Sequence, residues 1–72
     1  MFSITLRRAQ HVRQYSIRST EDAGWEIRLE EDAKLTRSKH YHDWHRVERA
    51  LARCRREVAD LTRQGWKVAA AS

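Results

Sequence analysis

The fold is decided by residues 42–66, which read HDWHRVERALARCRREVADLTRQGW. The large apolar residues of this stretch recur at alternating spacings of three and four, which places them along one side of an α-helix. They are Trp44, Val47, Leu51, Cys54, Val58 and Leu61. Asp43 is suited to cap the start of this helix and Gly65 to follow its end, so the sequence predicts a helix over residues 43–64.

Upstream of this helix, residues 12–41 alternate between apolar and polar side chains in the manner of β-strands. The clearest strand is the one in which Trp25, Ile27 and Leu29 share a face. Tyr15 and Ile17 alternate in the same way before a turn at residues 20–24, where Gly24 is expected to adopt a positive φ. Residues 34–41 form a weaker third strand. Because such a small sheet is marginal in water, its apolar face needs the helix as a cover.

The sequence therefore predicts one α+β domain over residues 1–72. It is a small two-layer domain in which a three-stranded antiparallel sheet (residues 12–41) is covered by one long C-terminal amphipathic helix, in the order β-β-β-α. Residues 1–11 are left open as an arm or an edge strand, and residues 66–72 as a short terminal strand or a tail. A domain of this size buries only about 60% of its unfolded surface, so its core is small.

Self-association is the simplest way to enlarge so small a core, and a homodimer is the leading expectation. The spacing of the apolar stripe is also the one found in seams between helices of different chains. The helix is longer than the predicted strands, so its ends overhang the sheet. The residues expected to meet a second chain are Trp44, Leu61 and Trp66.

The other side of the helix is basic, and the chain as a whole has a net charge of +5 with a pI near 10.1. The residues on this side are His45, Arg46, Arg49, Arg53, Arg56 and Arg63. Arginines in a row are suited to contact phosphates, so electrostatic nucleic-acid binding is the alternative function. A charged row opposite an apolar stripe is also what a solvated face looks like. Two ion pairs at i,i+4 spacing, Arg53–Glu57 and Arg56–Asp60, are expected to stabilise the helix.

Three histidines fall within residues 40–45, which read HYHDWH. His40, His42 and His45 have the ligand type of a zinc site. If His45 lies on the polar side of the helix, however, the three rings need not converge. The simpler interpretation is a purely structural one, a polar strand-to-helix junction capped by Asp43. A pH-sensitive contact is a further alternative. No metal is therefore assigned, and this histidine set is kept as a minor alternative.

The chain carries no motif for catalysis or for a cofactor, and it is expected to be a non-catalytic interaction module. Its single cysteine, Cys54, falls in the apolar stripe and is expected to be a core residue. One unpaired cysteine, no signal peptide and no membrane-spanning segment together predict a cytoplasmic protein that does not bind membranes. The partners expected are a second copy, an unidentified protein, or nucleic acid.

A Gly-Trp pair opens the predicted hairpin strand at Gly24-Trp25, and a third strand and a long Arg/Ala-rich helix follow it. This layout resembles that of short bacterial proteins of unknown function. The resemblance covers roughly residues 13–64. It implies the fold described above but no activity, and it transfers no functional residues to this chain.

Overall fold

The computed structural model describes residues 2–72, which form five β-strands and one α-helix. The elements in chain order are β1 (Ser3–Arg8), β2 (His11–Ser19), β3 (Trp25–Glu31), β4 (Lys34–Tyr41), α1 (Trp44–Arg63) and β5 (Lys67–Ala71). All strand pairings are antiparallel, and the strands form one sheet of order β4-β3-β2-β1-β5. The predicted α+β class is confirmed. Met1, the first residue of the predicted arm or edge strand, lies outside the described residues.

The prediction of a three-stranded sheet is wrong, because the structure adds β1 and β5. Both strands carry a weak side-chain pattern: β1 reads SITLRR and β5 reads KVAAA. β1 lies between β2 and β5 and pairs with both, and its Leu6 is fully buried in the core, whereas β5 is held by its backbone pairing with β1. This arrangement satisfies backbone groups that would otherwise need water. The N-terminal segment is therefore a strand inside the sheet, and the segment after the helix is a strand at its edge.

One face of the sheet packs against α1 and forms the core. Its buried residues are Leu6, Tyr15, Ile17, Ile27 and Leu29 from the strands, and Val47, Ala50 and Cys54 from the helix. Tyr15 lies opposite Leu29 in the ladder, and Ile17 lies opposite Ile27, so these side chains share one face. Cross-strand pairs of this kind stabilise a sheet through their mutual contact. The core position expected for Cys54 is confirmed.

The two ends of α1 follow from the residues that the sequence places there. Asp43 is the N-cap, and its side chain accepts a hydrogen bond of 2.9 Å from the backbone N–H of His45. At the other end Gly65 has φ 101°. The N–H of Gly65 donates to Thr62 O and that of Trp66 to Leu61 O, at 3.2 and 3.0 Å, which is the Schellman arrangement. This cap ends the helix and turns the chain into β5.

The β3–β4 turn is a tight two-residue connection made by Asp32 and Ala33, whose φ angles are 50° and 68°. Positive φ at both central residues is the signature of the hairpin turn that suits the twist of the strands. The carboxylate of Asp32 also accepts the backbone N–H of Val12 at 2.9 Å. Asp32 therefore joins this turn to the start of β2.

Candidate functional site

An exposed side of α1 carries a row of four arginines. Arg46, Arg49, Arg53 and Arg56 follow one another at spacings of three, four and three residues, so they lie along one side of the helix. All four are exposed, and within residues 2–72 no ion pair involves any of them. This arginine row presents four positive charges to solvent without a carboxylate partner in the described chain.

The acids of the helix are engaged elsewhere, so the predicted pairs Arg53–Glu57 and Arg56–Asp60 are wrong. Glu57 accepts two hydrogen bonds from Arg37 of β4, at 2.9 and 3.0 Å. Asp60 pairs with Arg63, three residues further along the helix. Because Glu57 lies on the flank of α1 that faces the sheet, a long side chain from β4 reaches it. Arg63, predicted as part of the basic side, is consequently neutralised within the helix.

A groove of about 200 Å³ lies between α1 and the edge strand β4. Its walls include the apolar side chains of Leu29 and Cys54, and basic side chains from both elements line it, namely Arg37, Lys39 and Arg53. Lys39 thus extends the arginine row from the helix onto the sheet. We call the arginine row together with Lys39 the basic face. Lys39 was not predicted, because the sequence does not reveal that the helix leaves this side of β4 open.

The buried tyrosine and cysteine that line the groove are held in their neutral forms. Tyr15 donates a hydrogen bond of 3.2 Å from its hydroxyl to Glu57, and burial raises the pKa of Tyr15. Burial also raises the pKa of the Cys54 thiol, which disfavours the nucleophilic thiolate form. The hydrogen bond to Glu57 raises the pKa of Arg37. The groove therefore combines apolar walls with basic side chains, of which Arg37 is paired with Glu57.

A second group of side chains converges where the β2–β3 connection meets the end of β4. The Nε2 atom of His40 lies 3.2 Å from one oxygen of Asp22, and that of His42 lies 3.1 Å from the other. The two imidazole rings are 4.6 Å apart and meet edge to face. Hydrogen bonds from Thr20 and then from His42 lower the pKa of Asp22 to about 2.

The structure therefore brings together two of the three histidines considered from the sequence. His45 is not part of this group: it lies on α1, and its ring nitrogen is 4.0 Å from Glu48. Asp22 takes its place as the third possible metal ligand, and the ligand atoms of the three residues all lie within 4.8 Å of one another. Asp22 was not predicted as a member of this group. Its turn comes next to the end of β4 because the register of β3 and β4 pairs Trp25 with Tyr41, and the sequence does not reveal that register.

Gly24 makes this convergence possible. A Cβ atom at Gly24 would lie 2.7 Å from the carbonyl oxygen of Tyr41 and 2.9 Å from Cε1 of His40, closer than real Cβ atoms come. The expectation of a positive φ at Gly24 is wrong, and it is Ala23 that has φ 62° in this turn. Glycine is required here for space rather than for backbone conformation.

The three residues predicted for an oligomer interface differ in exposure. Trp44 is 46% exposed, and its ring packs edge to face on Trp25 with centroids 5.0 Å apart. Leu61 and Trp66 are half-buried against the core of their own chain. The guanidinium of Arg13 lies 5.5 Å from the ring centroid of Trp66. Trp44 is therefore the member of this set that is most open to a partner.

Comparison with known proteins yields no relative. No protein-family model matches the chain, and no curated protein or solved structure matches it significantly. Among residues 2–72, no helix combines the length and the apolar character needed to cross a membrane. A functional assignment therefore rests on the geometry of the chain itself.

Proposed function

We propose that this protein is a non-catalytic interaction module that binds nucleic acid electrostatically through the basic face. The observation that carries the proposal is the arginine row, whose four guanidiniums have no carboxylate partner in the described part of the chain. Exposed cations of this kind neutralise phosphates and release the counterions condensed on them. That release drives binding without requiring any particular base sequence.

The dimensions and chemistry of the row suit a phosphate backbone. Arg46 and Arg56 are ten residues apart, which is about 15 Å along an α-helix. At about 3.4 Å of axial rise per phosphate on one strand, this length corresponds to roughly four phosphates. Guanidinium groups bind phosphate oxygens in a bidentate manner and stay charged at any physiological pH. Contacts of this type position a protein on nucleic acid rather than read its bases.

The test compares two double variants that remove the same formal charge. Arg49→Gln with Arg53→Gln removes two unpaired members of the row. Arg18→Gln with Arg63→Gln removes two arginines that are already paired, with Glu26 and Asp60. Binding of a fluorescently labelled oligonucleotide, single-stranded and duplex, is followed by anisotropy at two salt concentrations.

The row variant should bind at least about tenfold more weakly at low salt, and the slope of log K against log salt should fall by about two. The affinity of the control variant should stay within about twofold of that of the wild type, because the two arginines that it replaces are already paired with carboxylates. Equal losses in the two variants would mean that net charge rather than the row is responsible. A wild type that fails to bind at low salt would end the proposal.

Self-association is the second candidate function, and the edge strand β5 supports it. All five residues of β5 are exposed, and β5 is the last strand of the sheet on its side. Apart from Lys67 it carries only valine and alanine. The opposite edge strand, β4, bears Lys34, Arg37 and Lys39, and charges of this kind discourage the addition of another strand. A second copy could therefore pair β5 with β5 and continue the sheet.

A proline at Ala71 tests this arrangement. Ser3 and Ser72 exchange backbone hydrogen bonds of 3.2 and 2.8 Å, so the N–H of Ala71 points away from β1. Ala71→Pro removes that outward donor and leaves the contact with β1 in place. Light scattering should give twice the 8.6 kDa chain mass for the wild type and a monomer for this variant. If Trp44→Ala or Trp66→Ala breaks the dimer instead, the interface lies at the ends of the helix.

A further inference from the structure

We propose that Asp22, His40 and His42 form a binding site for zinc, held by one carboxylate oxygen and the Nε2 atoms of the two imidazoles. The site lies outside the basic face and does not depend on nucleic-acid binding. Two imidazoles and one carboxylate are a ligand set suited to zinc and to similar divalent transition metals, whereas magnesium and calcium prefer oxygen ligands alone.

The distances already approach those of a coordination shell. In tetrahedral zinc sites the metal lies about 2.0–2.2 Å from nitrogen and oxygen ligands, which puts the ligand atoms roughly 3.3 Å from one another. The Nε2 atoms of His40 and His42 lie 3.2 and 3.1 Å from the oxygens of Asp22. All three ligand atoms fall within 4.8 Å of one another. Small rotations of side chains are therefore enough to close them around one ion.

The backbone holds the three ligands in place from two directions. His40 is the next-to-last residue of β4 and His42 directly follows the strand, and their imidazole rings lie 4.6 Å apart. Asp22 comes from the β2–β3 connection, which is closed by a hydrogen bond of 2.9 Å from the N–H of Thr20 to the carbonyl of Gly24. Gly24 itself leaves the space that the His40 ring occupies.

Thr20 contacts two of the three proposed ligands. Its hydroxyl donates to Asp22 and lies 3.0 Å from Nε2 of His40. The hydroxyl therefore orients the carboxylate of Asp22, whereas its contact with Nε2 of His40 must be exchanged for the bond to zinc. All three ligand residues are exposed, so water can fill the fourth position of a tetrahedral shell.

The experiment uses zinc chloride and the full-length chain, with titration calorimetry as the first measurement. We expect one zinc ion per chain, with a dissociation constant on the order of micromolar for so exposed a three-ligand site. His42→Gln and Asp22→Asn should each weaken binding at least about tenfold. His45→Gln is the matched control: it removes a histidine three residues away whose ring lies on α1, and it should leave the affinity unchanged.

Nuclear magnetic resonance of the wild type locates the ion without any substitution. Zinc should shift the ring signals of His40 and His42 and leave those of His11 and His45 in place, and magnesium at the same concentration should shift none of them. The proposal is overturned if the wild type takes up no stoichiometric zinc, if His45→Gln weakens binding as much as His42→Gln, or if all four histidines respond alike.

Discussion

The guanidinium of Arg37 on β4 donates two hydrogen bonds to the carboxylate of Glu57 on α1, at 2.9 and 3.0 Å. This contact joins the edge strand to the helix, and both residues line the groove between them. Glu57 lies one helical turn from Arg53, and its carboxylate is occupied by Arg37. Arg53 is therefore left without a carboxylate partner among residues 2–72. The Arg37–Glu57 contact thus both stabilises the fold and leaves this part of the basic face unpaired within those residues.

Glu57→Gln should lower stability and raise affinity for nucleic acid at the same time. The pair is about half-exposed, so its loss should reduce the free energy of unfolding by only about 0.5 kcal/mol in urea titrations. Arg37 is then released, and oligonucleotide binding should tighten. Glu48→Gln is the control, since it adds the same net charge without touching Arg37, and it should leave stability unchanged. Indistinguishable stabilities of the two variants would contradict this role for Glu57.

Ala33→Gly should stabilise the protein. Ala33 has φ 68°, a left-handed conformation that costs a residue with a Cβ about 1–2 kcal/mol and glycine almost nothing. Glycine loses more entropy on folding, about 0.4–1 kcal/mol, so the net gain should be about 0.5–1 kcal/mol in urea unfolding. Ala52→Gly, in the exposed middle of α1, is the opposite control and should destabilise by about 1 kcal/mol. A loss of stability in Ala33→Gly would show that the strain is absent.

Gly24→Ala should destabilise the fold and disturb His40. The added methyl group would meet the carbonyl oxygen of Tyr41 at 2.7 Å, and backbone atoms there cannot move without shifting the β3–β4 pairing. Overpacking of this kind costs about 1–3 kcal/mol, measured as the shift of the urea midpoint. If zinc binds as proposed, Gly24→Ala should also weaken it, because the imidazole of His40 must move away. Unchanged stability would mean that the turn has room to relax.

Stability should fall on the acid side of pH 4.5, in part through Glu26. Hydrogen bonds from Ser38 and then Arg18 lower the pKa of this carboxyl below its ordinary value of 4.5. Its folded pKa is thus below the unfolded one, so its contribution is present above pH 4.5 and is lost as the pH falls through the folded value. Urea unfolding across this range should show a shallower pH dependence in Glu26→Gln. Glu21→Gln, which replaces an exposed acid without an ion pair in residues 2–72, should keep the wild-type slope.

The elements with a strong local pattern could be predicted from the sequence. The apolar stripe of residues 44–61 marks α1, and Asp43 caps it as expected. The alternation from Trp25 to Leu29 marks β3. The strands β1 and β5 could not be predicted with the same certainty, because their side chains alternate weakly and their places depend on backbone pairing with distant segments.

The candidate sites divide in the same way. The arginine row could be predicted, because spacings of three and four along a helix place residues on one side regardless of the rest of the chain. Whether those arginines lack a carboxylate partner could not be predicted. That depends on which arginines pair with Glu57 and Asp60, and in the structure these are Arg37 and Arg63. Asp22 and Lys39 were not predicted for a related reason. Asp22 reaches its site through strand register, and Lys39 joins the basic face because of where the helix lies over the sheet.

By itself, the sequence determined the helix, its caps, the central hairpin and the side of α1 that is basic. These features repeat every 3.6 or 2 residues and are decided within a single element. The tertiary structure alone decided the order of the five strands, the pairing of Glu57 with Arg37, and the meeting of Asp22 with His40 and His42. Such contacts join residues far apart in the chain, and their geometry depends on how whole strands align and where the helix crosses them.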